Sequence, residues 1–334
     1  MISARVFRIL ASTLLVAAFA AIAQTPPALT PLRVITFEGG WNLATWAAQR
    51  QGFFEAHGVT VQLSNTPNSV ALITGVYDGR YDIAMATIDN FIAYQEGQGE
   101  AKLAGDPDFV VVMGGDGGFL SVVGGANVKS FSDLRGKTLS VDAMTTGLAF
   151  VLRELVARGG VAEPDVTYVR AGGTSQRYRE LVAGKHDATL LRTPFELLAR
   201  EKGLTVLGTA ESLGAYQGTV AAVRRSWAKE HEAALTGFVR GYKQGAAWVH
   251  DPANRDVAEA LLVANIRDMT PALAKRSYDL LLAAKGGIAK DAALDMEGIR
   301  TVLALRSKYG VPQKTLADPT KYVDETYLRA AAAR

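Results

Sequence analysis

LRVITFEGGWNLATWAAQRQGFF, residues 32–54, holds a complete strand–turn–helix unit, and the fold is read outward from it. Residues 32–37 include the β-branched run Val34-Ile35-Thr36 and read as a strand that enters a turn at Glu38-Gly39-Gly40. A helix is expected from about Asn42, with Leu43, Trp46 and Ala47 on one face and Gly52 at a left-handed end. The unit then repeats. Residues 59–63 alternate as a strand, and Pro67-Asn68-Ser69 caps a helix with Val70, Ile73, Val76 and Tyr77 at helical spacing. Residues 81–86 form the next strand, 87–90 a turn, and 91–95 a short helix closed by Gly97. Strand, glycine- or asparagine-rich turn and capped helix in succession are the pattern of parallel βαβ units.

That rhythm breaks at residues 109–113 and 119–123, two strands separated by Gly114-Gly115-Asp116-Gly117-Gly118, a run suited to a crossing between two lobes. A second βαβ set follows. Its strands are expected at 138–141, 166–169 and 188–191, each leading through a polar turn into a helix, with Pro194 placed in a first helical turn. The last strands are expected at 204–207 and 219–223, with a return crossing between them. From Ser226 the chain reads as helical, with stripes at Leu235, Phe238, Val239, Tyr242 and Val249 and at Ile299, Val302 and Leu303. The expected fold is α/β, two βαβ lobes with a cleft between them. Residues 1–23 are a signal peptide, 24–120 the first part of lobe one, 121–215 lobe two, and 216–334 the return to lobe one plus C-terminal helices.

The leader reading rests on Arg5 and Arg8, the uncharged apolar run 9–21, and the small-x-small pattern Ala21-Ile22-Ala23. Cleavage after Ala23 and a periplasmic destination are expected, because the apolar run is shorter than the ~20 residues that span a bilayer. The chain has no cysteine, so no disulfide and no lipid-modified cysteine contributes. Of the formal charge of +3, two units belong to Arg5 and Arg8. No Lys/Arg cluster remains, so nucleic acid is excluded as a partner. The four histidines, His57, His186, His231 and His250, lack chelating spacing, and no G-x-S-x-G elbow occurs. Gly136-Lys137-Thr138 has the tail of a phosphate loop, but Phe131 stands where its first glycine belongs. No catalytic residue, metal or cofactor is expected.

Five segments carry a family resemblance. They are residues 41–59, opening with WNLATWAAQRQGFF; 71–84, ALITGVYDGRYDIA; 132–139, SDLRGKTL; 181–188, LVAGKHDA; and 322–330, YVDETYLRA. In this order they resemble the periplasmic substrate-binding proteins of ABC importers for nitrate, sulfonates, taurine and thiamine-precursor pyrimidines. The resemblance implies a class II periplasmic-binding-protein fold, a monomer, and delivery of a small polar organic ligand to an ABC permease in the inner membrane. A binding subunit of a non-ABC transporter, a sensor, or an enzyme akin to the pyrimidine-synthesising relatives of this fold are the alternatives.

In open α/β sheets ligands sit beyond the carboxyl ends of the strands. The turns there supply the candidate ligand contacts. Lobe one offers Trp41, Asn42, Asn68, Ser69, Asp89 and Asn90. Lobe two offers Thr145, Thr146, Gly147, Gly173, Thr174, Arg192 and Thr193, with Tyr216 near the return crossing. Helix amino termini at these turns present unpaired N–H groups to a polar or anionic ligand. Arg192 is a candidate bidentate donor, and Asp89 an acceptor for a ligand amine. Arg177 is expected on an exposed helix face.

Overall fold

The structure, a computed structural model, describes residues 28–332; the leader assigned to 1–23 lies outside the described residues. The first βαβ set is β1 (Thr30–Thr36), α1 (Leu43–Arg50), β2 (Val59–Asn65), α2 (Ser69–Tyr77), β3 (Ile83–Thr87), α3 (Asp89–Gln95) and β4 (Phe109–Gly114). The second is β5 (Leu120–Gly124), β6 (Lys137–Val141), α4 (Gly147–Arg158), β7 (Val166–Arg170), α5 (Thr174–Val182), β8 (Ala188–Arg192), α6 (Phe195–Glu201) and β9 (Thr205–Thr209). The chain then returns through β10 (Thr219–Arg224) to α7 (Arg225–Glu230), α8 (Glu232–Val249), α9 (Arg255–Asn265), α10 (Pro271–Leu281), α11 (Met296–Tyr309) and α12 (Thr326–Ala332).

Two five-stranded sheets result, ordered β2-β1-β3-β10-β4 and β7-β6-β8-β5-β9. In each, the first three strands are parallel, as βαβ connections require, and the strand arriving from a crossing inserts antiparallel at the fourth place. Strands buried on both faces read as unbroken apolar runs. Thus Phe109-Val110-Val111-Val112-Met113 of β4 is wholly buried.

One crossing joins β4 to β5 through residues 115–119 and the other joins β9 to β10 through 210–218, and the first is tied down rather than loose. Asp116 Oδ1 accepts from the Gly118 and Thr219 amides and from Arg192. The Asp116 carbonyl accepts from the Gly218 amide and the Gln217 side chain. Asp116 therefore knots the two crossings together. Gly118, at φ +104, adopts a backbone that side chains disfavour.

Several local expectations shift. A short 3-10 turn (Gly40–Asn42) precedes α1, which buries Leu43, Ala44, Ala47 and Ala48 and leaves Trp46 half-buried. α3 starts at Asp89 rather than Phe91, so Asp89 and Asn90 lie in its first turn. Pro194 stands at the N-cap of α6, outside the helix. The region after Ser226 is interrupted by a non-helical segment, 282–295, folded onto the first crossing through the Gly117 amide to Gly286 carbonyl and Gly114 amide to Ala292 carbonyl bonds.

The stripe on α8 is buried as expected, and beside it Gly237, Gly241 and Gly245 form a seam four residues apart. A methyl on Gly245 would lie 2.3 Å from the Ala44 carbonyl oxygen and 2.8 Å from Ala48 Cβ. Alanine gains up to ~1 kcal/mol of helix propensity over glycine. Overpacking against a rigid backbone costs ~1–3 kcal/mol. Gly245→Ala is therefore expected to lower unfolding free energy in urea titration, and a stabilised variant would show that α1 and α8 can separate freely.

Candidate functional site

The carboxyl ends of β1, β3, β6 and β8 face one another across the gap between the sheets. Phe37, Trp41, Thr87 and Asn90 from lobe one meet Asp142, Thr146, Leu148, Thr174, Arg177 and Arg192 from lobe two around a cavity of about 20 Å³. The lobes are closed upon each other. The Ser69 amide donates to Asp142 at 3.0 Å, the Gly173 amide to the Pro67 carbonyl at 2.9 Å, and Arg170 pairs with Glu100 at 2.5 Å.

The candidate residues sort into three groups. Trp41, Asn90, Thr146, Thr174 and Arg192 line the cavity. Trp41 is 2 % exposed, and the Arg192 guanidinium lies 4.1 Å from its ring centroid. Arg192 is itself committed to Asp116 at 2.7 Å, so its charge is compensated within the protein.

A second group is engaged by the protein itself. Asn42 bridges the Thr36 hydroxyl and the Phe37 carbonyl, and Asn68 caps α2 by accepting from the Ala71 amide. Ser69 and Gly173 give their amides to the opposite lobe. Asp89 does not reach for a ligand amine: Oδ1 accepts from Arg306 and Oδ2 from the Gly147 amide at the start of α4. A protein carboxylate thus already sits on the amino terminus of α4, where a ligand anion was expected. The Thr145 carbonyl accepts from the same Arg306. Burial with its partner explains this: an unpaired carboxylate at full burial would be too costly, so Asp89 is matched by a cation.

The third group, Thr193 and Tyr216, lines a different cavity behind the crossings. Thr193 donates to Glu196 at 2.7 Å, and the Tyr216 ring is buried with its hydroxyl unpartnered among the described residues.

Arg177 overturns its expectation. Instead of an exposed face it is 2 % exposed, because Thr174, Arg177, Tyr178 and Leu181 share the inward face of α5. Its guanidinium donates to the Gly172 and Leu190 carbonyls and to the Thr189 and Thr174 hydroxyls. Among the described residues it forms no ion pair. Burial pulls its pKa down to about 10, with the charge of nearby Asp142 acting in the opposite sense. Asp142 is raised by burial and lowered in part by Arg177. The cavity therefore holds a guanidinium whose hydrogen-bond partners are all neutral groups, with the Asp142 carboxyl as the opposite charge on the same wall.

Phe37, Asp142 and Leu148 were not anticipated. The signal was present, since Phe37 and Asp142 directly follow the last residues of β1 and β6, where strands aim at a cleft.

Two α/β lobes, two crossings and strand order 2-1-3 with an inserted antiparallel strand in each sheet define the class II periplasmic-binding-protein fold. The chain belongs to the NMT1/THI5-like family, whose sequence profile matches residues 43–254. Solved structures of similar fold include the periplasmic nitrate-binding protein NrtA from Synechocystis PCC 6803, with TM-score 0.74 and 13% identity over 92% of this chain and 89% of that one. The alkanesulfonate-binding protein SsuA from Xanthomonas axonopodis pv. citri, bound to MOPS, superposes with TM-score 0.70 and 16% identity over 89% and 99%. The ligand-binding component of an ABC-type import system from Staphylococcus aureus gives 0.71 and 12% over 90% and 99%. No curated protein matches the sequence significantly. No helix among the described residues is long and apolar enough to cross a membrane.

Proposed function

We propose that this chain is an exported solute-binding protein that holds a small polar organic anion between its lobes and presents it to an ABC permease in the inner membrane. The observation that carries the reading is Arg177, a buried guanidinium that makes no direct ion pair among the described residues, on the wall of the inter-lobe cavity. A ligand carboxylate or sulfonate would complete one. Trp41 offers an aromatic face, and Asn90, Thr146 and Thr174 offer hydrogen bonds. Sulfonates, taurine and acidic pyrimidines fit this chemistry; family membership and the nitrate- and sulfonate-binding proteins of the same fold support it. In this reading the cleft binds its ligand and releases it unchanged.

The ligand would act by shifting an open–closed equilibrium. The cavity of about 20 Å³ between the closed lobes has room for about one water, so the lobes must part to admit a ligand, and a ligand that touches both Trp41 and Arg177 then draws them together around itself. A thermal-shift screen of the mature protein against taurine, alkanesulfonates, aromatic carboxylates, pyrimidines and nitrate tests the reading. A true ligand at 100 times its Kd adds about 2.7 kcal/mol and raises the midpoint. Small-angle scattering should show compaction with the same compound. A panel in which no anion shifts the midpoint would overturn the assignment.

A further inference from the structure

Behind the crossings lies a cavity of about 810 Å³, a size that suits a drug-sized molecule. It shares no lining residue with the inter-lobe cavity. Three separate parts of the chain build it: the crossings (Asp116, Tyr216), lobe two (Thr193, Glu196) and the C-terminal segment (Leu282, Ile288). The Arg192–Asp116 pair forms the partition, Arg192 lining the cleft and Asp116 the rear space.

Three of the residues around this space each carry a buried polar atom with no partner among the described residues: Glu196 Oε2, Asp116 Oδ2 and the Tyr216 hydroxyl. The residues are only 5 %, 4 % and 4 % exposed. Buried polar atoms are nearly always satisfied, so Glu196, a cavity-lining carboxyl with one oxygen left without a protein partner among the described residues, points to a bound group. Two of the three are carboxyl oxygens, which when ionised only accept. Apolar side chains such as Phe119, Leu197, Leu282 and Ile288 supply the remaining wall. Arg200, Lys285 and Lys290 stand at the exposed rim with Glu211 and Asp295, where water screens them.

We infer that this rear cavity is a second binding site, for a small organic amine whose ammonium group meets the Glu196 carboxyl and whose apolar body packs on Leu197 and Ile288. The charge preference is opposite to that of the cleft, where the unpaired group is a guanidinium. Burial pushes the Glu196 carboxyl up to about 7, so near neutral pH it ionises readily when a cation arrives.

The test is calorimetric titration of the full mature chain carrying Arg177→Met, which removes the anion-binding guanidinium of the cleft, with 2-phenylethylamine at pH 8 and with 2-phenylethanol and 3-phenylpropionate as matched neutral and anionic probes. The amine should bind at least tenfold more tightly than either. A hydrogen bond to a charged group carries ~10- to 100-fold in affinity, so Glu196→Gln should weaken the amine by that factor. Ala284→Trp, a change at an exposed position on the cavity wall, should block it by filling the space. Equal binding of the three probes, no binding of the amine at millimolar concentration, or amine binding undiminished in both variants would overturn the inference.

Discussion

Arg177→Met is expected to weaken binding of the cleft ligand by ~30-fold or more, the largest effect of any single substitution in the cavity wall. Losing one partner of a buried, hydrogen-bonded charge pair costs ~2–5 kcal/mol, and each 1.4 kcal/mol is tenfold. Trp41 or Thr174 truncation should do less, since each removes one neutral contact of ~1 kcal/mol order. Arg177→Lys should recover only part of the affinity. It keeps the charge but loses the planar fork that now spans Gly172, Thr174, Thr189 and Leu190. Titration calorimetry with the anion found by the screen reads all three variants, and circular dichroism confirms that they fold. Arg192→Met separates the two cleft guanidinium groups. Its loss breaks the Asp116 knot, and Arg177→Met leaves the Gly172 and Leu190 carbonyls without their donor, so both variants should lose stability and affinity is compared on the folded proteins. An Arg177→Met protein with unchanged affinity would place the anion elsewhere.

What the sequence discloses follows the range of the interactions involved. β1 through α3 and both crossings are written in local patterns: β-branched runs, glycine turns and helical spacing. Burial of Arg177 is written there too, four residues before Leu181 on one face, but an arginine on a helix invites an exposed reading. The same holds for Arg306, which continues the stripe of Ile299, Val302 and Leu303 at helical intervals. A charge in register with an apolar face is a buried charge in search of a partner. Which partner it finds is not local: Asp89 lies far away along the chain and is brought near only by tertiary packing. Thr193 and Tyr216 are placed at the rear cavity for another reason. In extended chain neighbouring side chains point to opposite sides, so Arg192 looks into the cleft while Thr193 looks behind it. Naming the right turn does not decide which cavity its residues enter.

Arg306→Met is expected to destabilise the protein by ~3–5 kcal/mol, the cost of breaking a buried ion pair by removing one partner. Arg306 and Asp89 are both 0 % exposed at the side chain and meet at 2.5 Å. The guanidinium also donates to Gln98 Oε1 and the Thr145 carbonyl and lies 5.0 Å from the Phe150 ring centroid. It thereby ties α11 to α3 of lobe one and to the start of α4 in lobe two. Lys308 and Tyr309 extend the tie to Glu154, whose hydrogen bonds outweigh burial and hold its pKa down to about 2. Because the carboxylate left behind still faces only the Gly147 amide, the single variant carries an uncompensated buried charge. Asp89→Asn combined with Arg306→Met removes that charge, so the double variant should be more stable than Arg306→Met alone. A double-mutant cycle from urea unfolding measures this directly. Additive losses would mean that the two side chains are not coupled, and the closed contact of α11 with both lobes would then rest on its apolar face alone.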